Sequence, residues 1–294
     1  MIERAINLVM LKRYTTEEPS FFDDTVHAVD YLLRQAGFQT HVSCNVIDPG
    51  LLNIIWGANA HGSPTLDQIR AVARPEFSII FNMEQIALGN SFVTMDYLNF
   101  LSEYRVLDYN HRNIEAMHSY LPQIDAFEFP VLPSPLMASD FSVSKGLDPN
   151  KFDVAFWGAK SDRRMHVLQQ LVSTGHSVKY IGGAFGRNLS TEIYDSNICL
   201  NIHALDTGIF EIARCLRPLS MGMPVVSEMS HTPRLVDWTN SGIFFCQYDE
   251  LAEKCHELIE NPSLVNEALR KTQHFIYDGE WSRQARKIIQ ELCK

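Results

Sequence analysis

The chain alternates short apolar runs with longer stretches whose apolar residues recur every three or four positions. AINLVML (5–11), FQTHVSC (38–44), NIIWGA (53–58), FSIIFNM (77–83) and RVLDY (105–109) read as strands. NIIWGA and FSIIFNM are continuous rather than alternating, as in strands covered on both faces. SFFDDTVHAVDYLLRQAG (20–37) reads as a helix, with Ser20 placed to cap its start and Gly37 its end. Further helices fall over about 94–104 and 111–120. Strand, helix, strand in this order predicts a parallel sheet.

FPVLPSPL (129–136) interrupts the rhythm and predicts an extended linker, because proline removes an amide donor and biases the preceding residue towards extended backbone. The pattern then restarts. DVAFWGA (153–159), HSVKYIGG (176–183), ICLNIHA (198–204), PVVSE (224–228) and GIFFC (242–246) read as strands, with a helix over about 161–174 and another within 207–221. Pro218 predicts a kink in that second helix or its division in two, since an interior proline costs about 3 kcal/mol. From Tyr248 onwards the chain reads as mostly helical, with a break at Asn261 and Pro262. The expected fold is α/β, with two Rossmann-like βα domains facing a cleft. Residues 1–133 form one, and 134–294 the other, ending in helices able to return to the first.

Composition narrows the function. Of 294 residues, 46% are apolar and 20% charged, as in a folded globular protein, and the formal charge is −10. That charge argues against sequence-independent nucleic-acid binding, which rests on lysine and arginine neutralising phosphates. The six cysteines, Cys44, Cys199, Cys215, Cys246, Cys255 and Cys293, have no CxxC spacing, and Cys199 and Cys246 fall inside predicted strands. They read as buried thiols in a reducing compartment. No signal-peptide pattern and no run near 18 apolar residues occurs, so the expected location is cytoplasmic, with peripheral membrane contact left open.

Chemistry is expected at the carboxyl ends of the strands, where open α/β sheets bind ligands. After FWGA, Gly158 permits a sharp turn, and Arg163 and Arg164 stand near a helix start, where guanidinium groups and backbone N–H groups suit phosphate; the alternative is a solvated helix end. GGAFGR (182–187) is not the GxGxxG fingerprint, which weakens a dinucleotide-binding reading. Asn201 and His203 close the next strand. Thr207 and Gly208 can open a helix with Glu211 one turn in and Arg214 three residues later, either as a surface ion pair or as ligand-binding groups. No HExxH motif marks a metal site, and Asp23, His27 and Asp30 read as a solvated helix face.

LNIHALDTGIFEIARCLRPLSMGMPVVSE (200–228) resembles the donor-site segment of GT-B glycosyltransferases, in particular the bacterial group related to the CgeB spore-protein glycosyltransferases. FWGAKSDRRMHVLQQL resembles the same group's strand, glycine, Arg-Arg and helix element. FNMEQIA with VLDYNHRNIEAM resembles the end of its amino-terminal domain. The similarity is motif-like, covers most of residues 77–246 and is strongest over 153–228.

The resemblance implies a carboxyl-terminal domain that holds a nucleotide sugar and an amino-terminal domain that holds the acceptor. It makes Glu211 the ribose ligand and Arg163, Arg164 and Arg214 the phosphate ligands, with Gly158, Asn201 and His203 beside them. The E-x7-E pattern of retaining enzymes is absent, since position 219 is Leu219, so neither stereochemical outcome follows. No DxD sequence occurs, which fits a metal-independent GT-B enzyme whose departing diphosphate is stabilised by arginines and helix starts. The candidates for a catalytic base are His61, Glu84 and Asp108, all at predicted strand ends, with loop, cap and turn roles as their alternatives. The expected activity is transfer of a sugar from a nucleotide diphosphate to an acceptor hydroxyl, with no further cofactor. The acceptor, whether glycan, lipid-linked glycan, protein or small molecule, has no recognisable motif. A sugar-nucleotide epimerase and a non-catalytic nucleotide-sugar-binding scaffold are the alternatives.

Overall fold

The computed structural model describes all residues except 1–4, 13–18, 60–64, 88–89, 139–146, 206–207, 231–234, 239–240, 277–279 and 293–294. The chain forms two compact units. One contains residues 1–131, 233–236 and 279–294, and the other residues 132–232 and 237–278.

The first unit is built on a six-stranded parallel sheet. Its strands are β1 (Ile6–Met10), β2 (Thr40–Cys44), β3 (Leu52–Trp56), β4 (Ser78–Asn82), β5 (Arg105–Asp108) and β6 (Asp125–Glu128), in spatial order β2-β1-β3-β4-β5-β6. Every residue of β1, β3 and β4 is buried, as their continuous apolar runs require. Helices α1 (Asp23–Gln35), α2 (Leu66–Val72), α3 (Met95–Leu101) and α4 (His111–Tyr120) cover the faces. Val9, Ile55, Ile80, Phe100, Leu101 and Met117 meet in one core, and Trp56 stacks on Phe81 with ring centroids 4.7 Å apart.

Several local expectations change. Ser20 does not cap α1: its backbone N–H donates to the Asp23 carboxylate at 2.6 Å, and the N-cap position is Phe22. Gly37 does end the helix, with φ +85°, a conformation that favours glycine. Helix α2 and strand β6 are additions to the predicted elements. The first is signalled by the capping box of Thr65 and Gln68, and the second is half-exposed and lacks an apolar run. The predicted extended linker over 129–136 runs into a 3-10 helix at Pro135–Ala138, and it is not solvated, since Phe129, Val131 and Leu132 are buried. Asp23 pairs with Lys12, and Asp30 with Arg34, so this helix face carries ion pairs.

The second unit has a five-stranded parallel sheet in spatial order β8-β7-β9-β10-β11. The strands are β7 (Phe152–Trp157), β8 (Val178–Ile181), β9 (Ser196–Asn201), β10 (Val225–Glu228) and β11 (Ile243–Cys246). Its helices are α5 (Asp162–Ser173), α6 (Gly186–Tyr194), α7 (Ile212–Ser220), α8 (Leu251–Glu260) and α9 (Pro262–Ile276). A last helix, α10 (Glu280–Leu292), belongs to the first unit, where Arg286 donates to the Ala36 carbonyl at the end of α1. Helix α6, which begins at the last glycine of GGAFG (182–186), is a further addition to the predicted elements. Pro218 does not divide α7, because it lies in the last turn of a nine-residue helix. Cys199, Cys215, Cys246 and Cys255 are buried free thiols and Cys44 is a half-buried one; Cys293 lies outside the described residues.

Gly242, just before β11, has φ +85°, and a Cβ there would lie 2.2 Å from Thr272 Oγ1 and 2.3 Å from the Ala268 carbonyl oxygen of α9. The left-handed backbone and the overpacking each cost about 1–2 kcal/mol or more. Gly242→Ala is expected to lower the unfolding free energy by about 2 kcal/mol or more. Urea denaturation checks this, and a change below about 0.5 kcal/mol would contradict the contact.

Candidate active site

In the second sheet, β7 is followed in space by β8 on one side and β9 on the other. The carboxyl ends of β7 and β9 therefore flank the point where the winding reverses, the place where such sheets bind ligands. The sequence delivers three charged segments to this edge. Gly158 turns the chain out of β7 at φ +127°, and a Cβ there would lie 1.9 Å from Arg214 Nη1, so glycine makes room for the guanidinium. Ser161 then caps α5, accepting from the Arg164 N–H. Lys160, in the same turn, sits 4.9 Å from the centroid of the Tyr180 ring.

Glu211 joins these segments. It is the N-cap residue of α7 rather than a residue one turn in, and its carboxylate accepts from Arg164 Nη2 at 3.1 Å, from the Ala204 N–H at 2.8 Å and from Arg214 Nε. Its side chain is 10% exposed, and that of Arg164 only 1%. The surface-pair alternative is thereby replaced by a buried network. Burial alone would raise the Glu211 pKa, but Arg214 and Arg164 together hold it below the usual carboxylate range. Burial pulls Arg164 down to about 10, with Arg214 adding to the effect and Glu211 opposing it. Arg164 also donates to the carbonyls of Ile202 and Ala159. Its guanidinium is thus committed within the protein, and Arg164 is a brace rather than an exposed phosphate ligand. Arg214 Nη1 donates to the Trp157 carbonyl, and its side chain keeps 14% exposure.

A second cluster lies at the ends of β9 and β10. Both Arg163 Nη groups donate to the two oxygens of Glu228, the last residue of β10, and the Arg163 guanidinium carbon sits 3.9 Å from the centroid of the Tyr248 ring. Glu228 also accepts from the His203 N–H at 3.0 Å. The His203 ring is buried, with Nε2 hydrogen-bonded to Ser230 Oγ at 2.9 Å and Nδ1 3.8 Å from Glu228. Burial lowers its pKa, against the opposing pull of Glu228 and Glu211. Asn201 is buried; its amide donates to Ser227 Oγ at 3.0 Å, and its Oδ1 has no hydrogen-bond partner among the described residues. Glu228 and Tyr248 were not among the candidates. The available signal for Glu228 was a carboxylate closing an otherwise apolar strand.

In the first unit, Glu84 follows β4 and is partly exposed, whereas Asp108, the last residue of β5, is completely buried. Asp108 accepts from Asn82, Asn113 and the Asn110 N–H, and burial pushes its pKa up to about 8 against those three hydrogen bonds. The third base candidate, His61, lies outside the described residues.

Two parallel sheets with this winding are the GT-B glycosyltransferase fold. Among solved structures, a T4 phage BGT variant in complex with UDP-glucose has a TM-score of 0.63 and 12% sequence identity, covering 99% of both chains. Anabaena HepE in complex with UDP and glucose has a TM-score of 0.60 at 11% identity, covering 98% of this chain and 99% of its own. Sucrose-phosphate synthase from Thermosynechococcus elongatus has a TM-score of 0.58 at 10% identity, covering 98% and 99%. At such identities the likeness establishes the fold alone. No family model matches the sequence. An uncharacterized protein of Acanthamoeba polyphaga mimivirus is 31% identical over 232 residues, 75% of this chain and 29% of the relative. A second from the same virus is 29% identical over 204 residues, 67% of this chain and 64% of the relative. The chain therefore spans less than a third of the first relative's length and just under two thirds of the second's.

Removing the Glu211 carboxylate would leave the Arg164 charge buried without its acidic partner. Glu211→Ala is expected to cost about 3 kcal/mol of unfolding free energy, measured in urea. Because the folded-state pKa of Glu211 lies below its ordinary 4.5, its contribution is present above that pH and is lost as pH falls through the folded value. The stability of the wild-type protein should therefore decline more steeply below pH 4.5 than that of Glu211→Gln. Parallel profiles would remove Glu211 from this role.

Proposed function

We propose that the chain is a glycosyltransferase that moves a sugar from a nucleoside diphosphate donor to an acceptor hydroxyl. The observation that carries this reading is the arginine-bearing switch point of the second unit, within a fold shared almost end to end with a T4 phage BGT variant in complex with UDP-glucose. Arg163 and Arg214 are the diphosphate ligands in this reading, since their side chains retain 23% and 14% exposure. Glu211, itself braced by Arg164, holds Arg214 in place, Gly158 leaves it room, and Glu228 with Tyr248 orients Arg163. The ribose role that the resemblance gives Glu211 would have to share its carboxylate with these arginines. Asn201 and His203 support the strand end.

The guanidinium groups supply fixed positive charge where the departing diphosphate gains negative charge, which is the electrostatic need of the reaction. The reaction proceeds without a metal in this reading. One fold neighbour, T4 phage BGT, is described in complex with UDP and Mn2+, so a chelator belongs in the assay. The first unit holds the acceptor, whose class the described residues do not specify.

The test is a thermal-shift panel of UDP, GDP, CDP, ADP, dTDP and NAD, since a ligand that binds only the native state raises Tm. One nucleoside diphosphate should raise Tm with EDTA present, and Arg163→Lys, which loses the planar two-pronged donor, should weaken it roughly tenfold. Sugar isomerisation without transfer would instead mark an epimerase, and binding without turnover a scaffold. A flat panel would remove the donor-site assignment.

A further inference from the structure

Behind Glu84 lies a fully connected buried network that the donor site does not use. Parallel pairing sets Asn82, the last residue of β4, directly beside Asp108 on β5. The Asn82 amide donates one hydrogen to Asp108 Oδ2 at 2.6 Å and the other to the Glu84 carbonyl at 2.9 Å. From α4, the Asn113 amide repeats the arrangement, donating to Asp108 Oδ1 and to the same Glu84 carbonyl, both at 3.1 Å. Two amides thus bridge the two oxygens of one carboxylate to one backbone carbonyl. Their own oxygens take up the remaining donors: Asn82 Oδ1 accepts from the Glu84 N–H at 3.2 Å and the Tyr97 hydroxyl at 2.9 Å, and Asn113 Oδ1 from the Ile86 N–H at 3.0 Å.

The network fixes the backbone at Glu84 and leaves its carboxylate outside. Asp108 cannot meet a substrate, because it is 0% exposed and both oxygens are filled. The Glu84 side chain is largely buried but keeps some exposure, and its carboxylate meets the Asn90 amide at 3.5 Å, near the limit of a hydrogen bond. Resting on the transferase reading above, we propose that Glu84 is the proton acceptor for the attacking hydroxyl and that Asp108 is its positioning residue, acting through Asn82 and Asn113. Burial raises the Glu84 pKa, opposed by the Asn90 amide, which brings it nearer the range that suits a base at neutral pH.

In the step itself, the hydroxyl proton passes to a Glu84 oxygen as the hydroxyl oxygen bonds to the anomeric carbon. The bond from that carbon to the diphosphate oxygen breaks, and its electron pair leaves on the diphosphate. Glu84 then gives its proton to water. A single displacement inverts the anomeric centre.

The experiment measures UDP release from UDP-glucose, or the corresponding release from the nucleotide sugar of whichever diphosphate shifts Tm, with water as the attacking hydroxyl. Glu84→Gln should lower kcat about 100-fold or more with the diphosphate Kd unchanged, and Glu84→Asp should recover part of it. Asp108→Asn should lower kcat about tenfold with donor KM and the fraction of folded protein unchanged, a split that loss of fold alone would not give. Wild-type rates in Glu84→Gln would overturn the assignment of the base, and wild-type rates in Asp108→Asn the positioning role. A wild-type protein that binds the diphosphate but never releases it from the nucleotide sugar overturns this inference and leaves the donor site standing. One that binds no diphosphate removes the transferase reading itself.

Discussion

A parallel sheet covered on both faces has no place for polar side chains except at its strand ends. In this chain β4 and β10 are buried at every residue and carry their amide or carboxylate group at the last position, whereas β1 and β3, equally buried, carry Asn7 and Asn53 near their starts, where the Asn7 amide donates to Asn53. Asn82 and Asp108 end β4 and β5, and Asn201 and Glu228 end β9 and β10. Each is buried, and a buried polar group without a partner costs about 1–3 kcal/mol. Partners come from the neighbouring strand, as Asp108 serves Asn82 and Ser227 serves Asn201, and from the loops and helix starts that follow, as Asn113 serves Asp108 and Arg163 serves Glu228. The consequence is two polar networks, each fixing the chain that leaves its sheet. Geometry that satisfies burial also pre-organises the edge where ligands bind.

The two networks use different chemistry. In the first unit one buried carboxyl group, its pKa pushed up to about 8 by burial, is held by neutral amides, which add no charge of their own. In the second, carboxylates are met by guanidinium groups, and the charges would be expensive to bury unless nearly matched. The isolation of Arg164 shows how strongly this constraint acts. A guanidinium group 1% exposed is tolerable because Glu211 and two carbonyls take its donors. Replacing such a cluster by apolar side chains is often no less stable, so its retention is better explained by what it positions than by stability alone.

Much of the fold was legible because apolar runs report burial directly. The strands and the helices 111–120 and 161–174 follow from pattern, since nothing but a covered sheet explains runs such as NIIW and SIIF. Strand β6 was not legible, because DAFE is half-exposed and its pairing with β5 depends on distant sequence. Helix α6 begins at Gly186 after a run of glycines, which locally speaks for a turn. The site divides similarly. Gly158, the arginines and Glu211 were visible as residue types at strand ends, but the pairing of Glu211 with Arg164 joins residues 47 apart, beyond any helical spacing. Position one turn into a helix left Glu211 as either half of a surface ion pair or a ligand-binding group; the tertiary fold makes it the centre of a buried cluster.

Charge balance gives the second network its character. Arg163, Arg164 and Arg214 meet Glu211 and Glu228, so among these described groups three guanidinium groups face two carboxylates. Burial favours the neutral ring of His203 over its charged form. The whole chain carries −10, so its net charge does not favour long-range attraction of an anion. Screening limits charge effects to about 8–10 Å at physiological salt, and within that distance the local groups are what a ligand meets. Recognition of a diphosphate by this chain would thus depend on fixed, short-range donors rather than on steering. A site of that kind loses more from misplacing one guanidinium group than from changing the surface charge, which is why the room left by Gly158 and the braces on Arg214 matter as much as the arginines themselves.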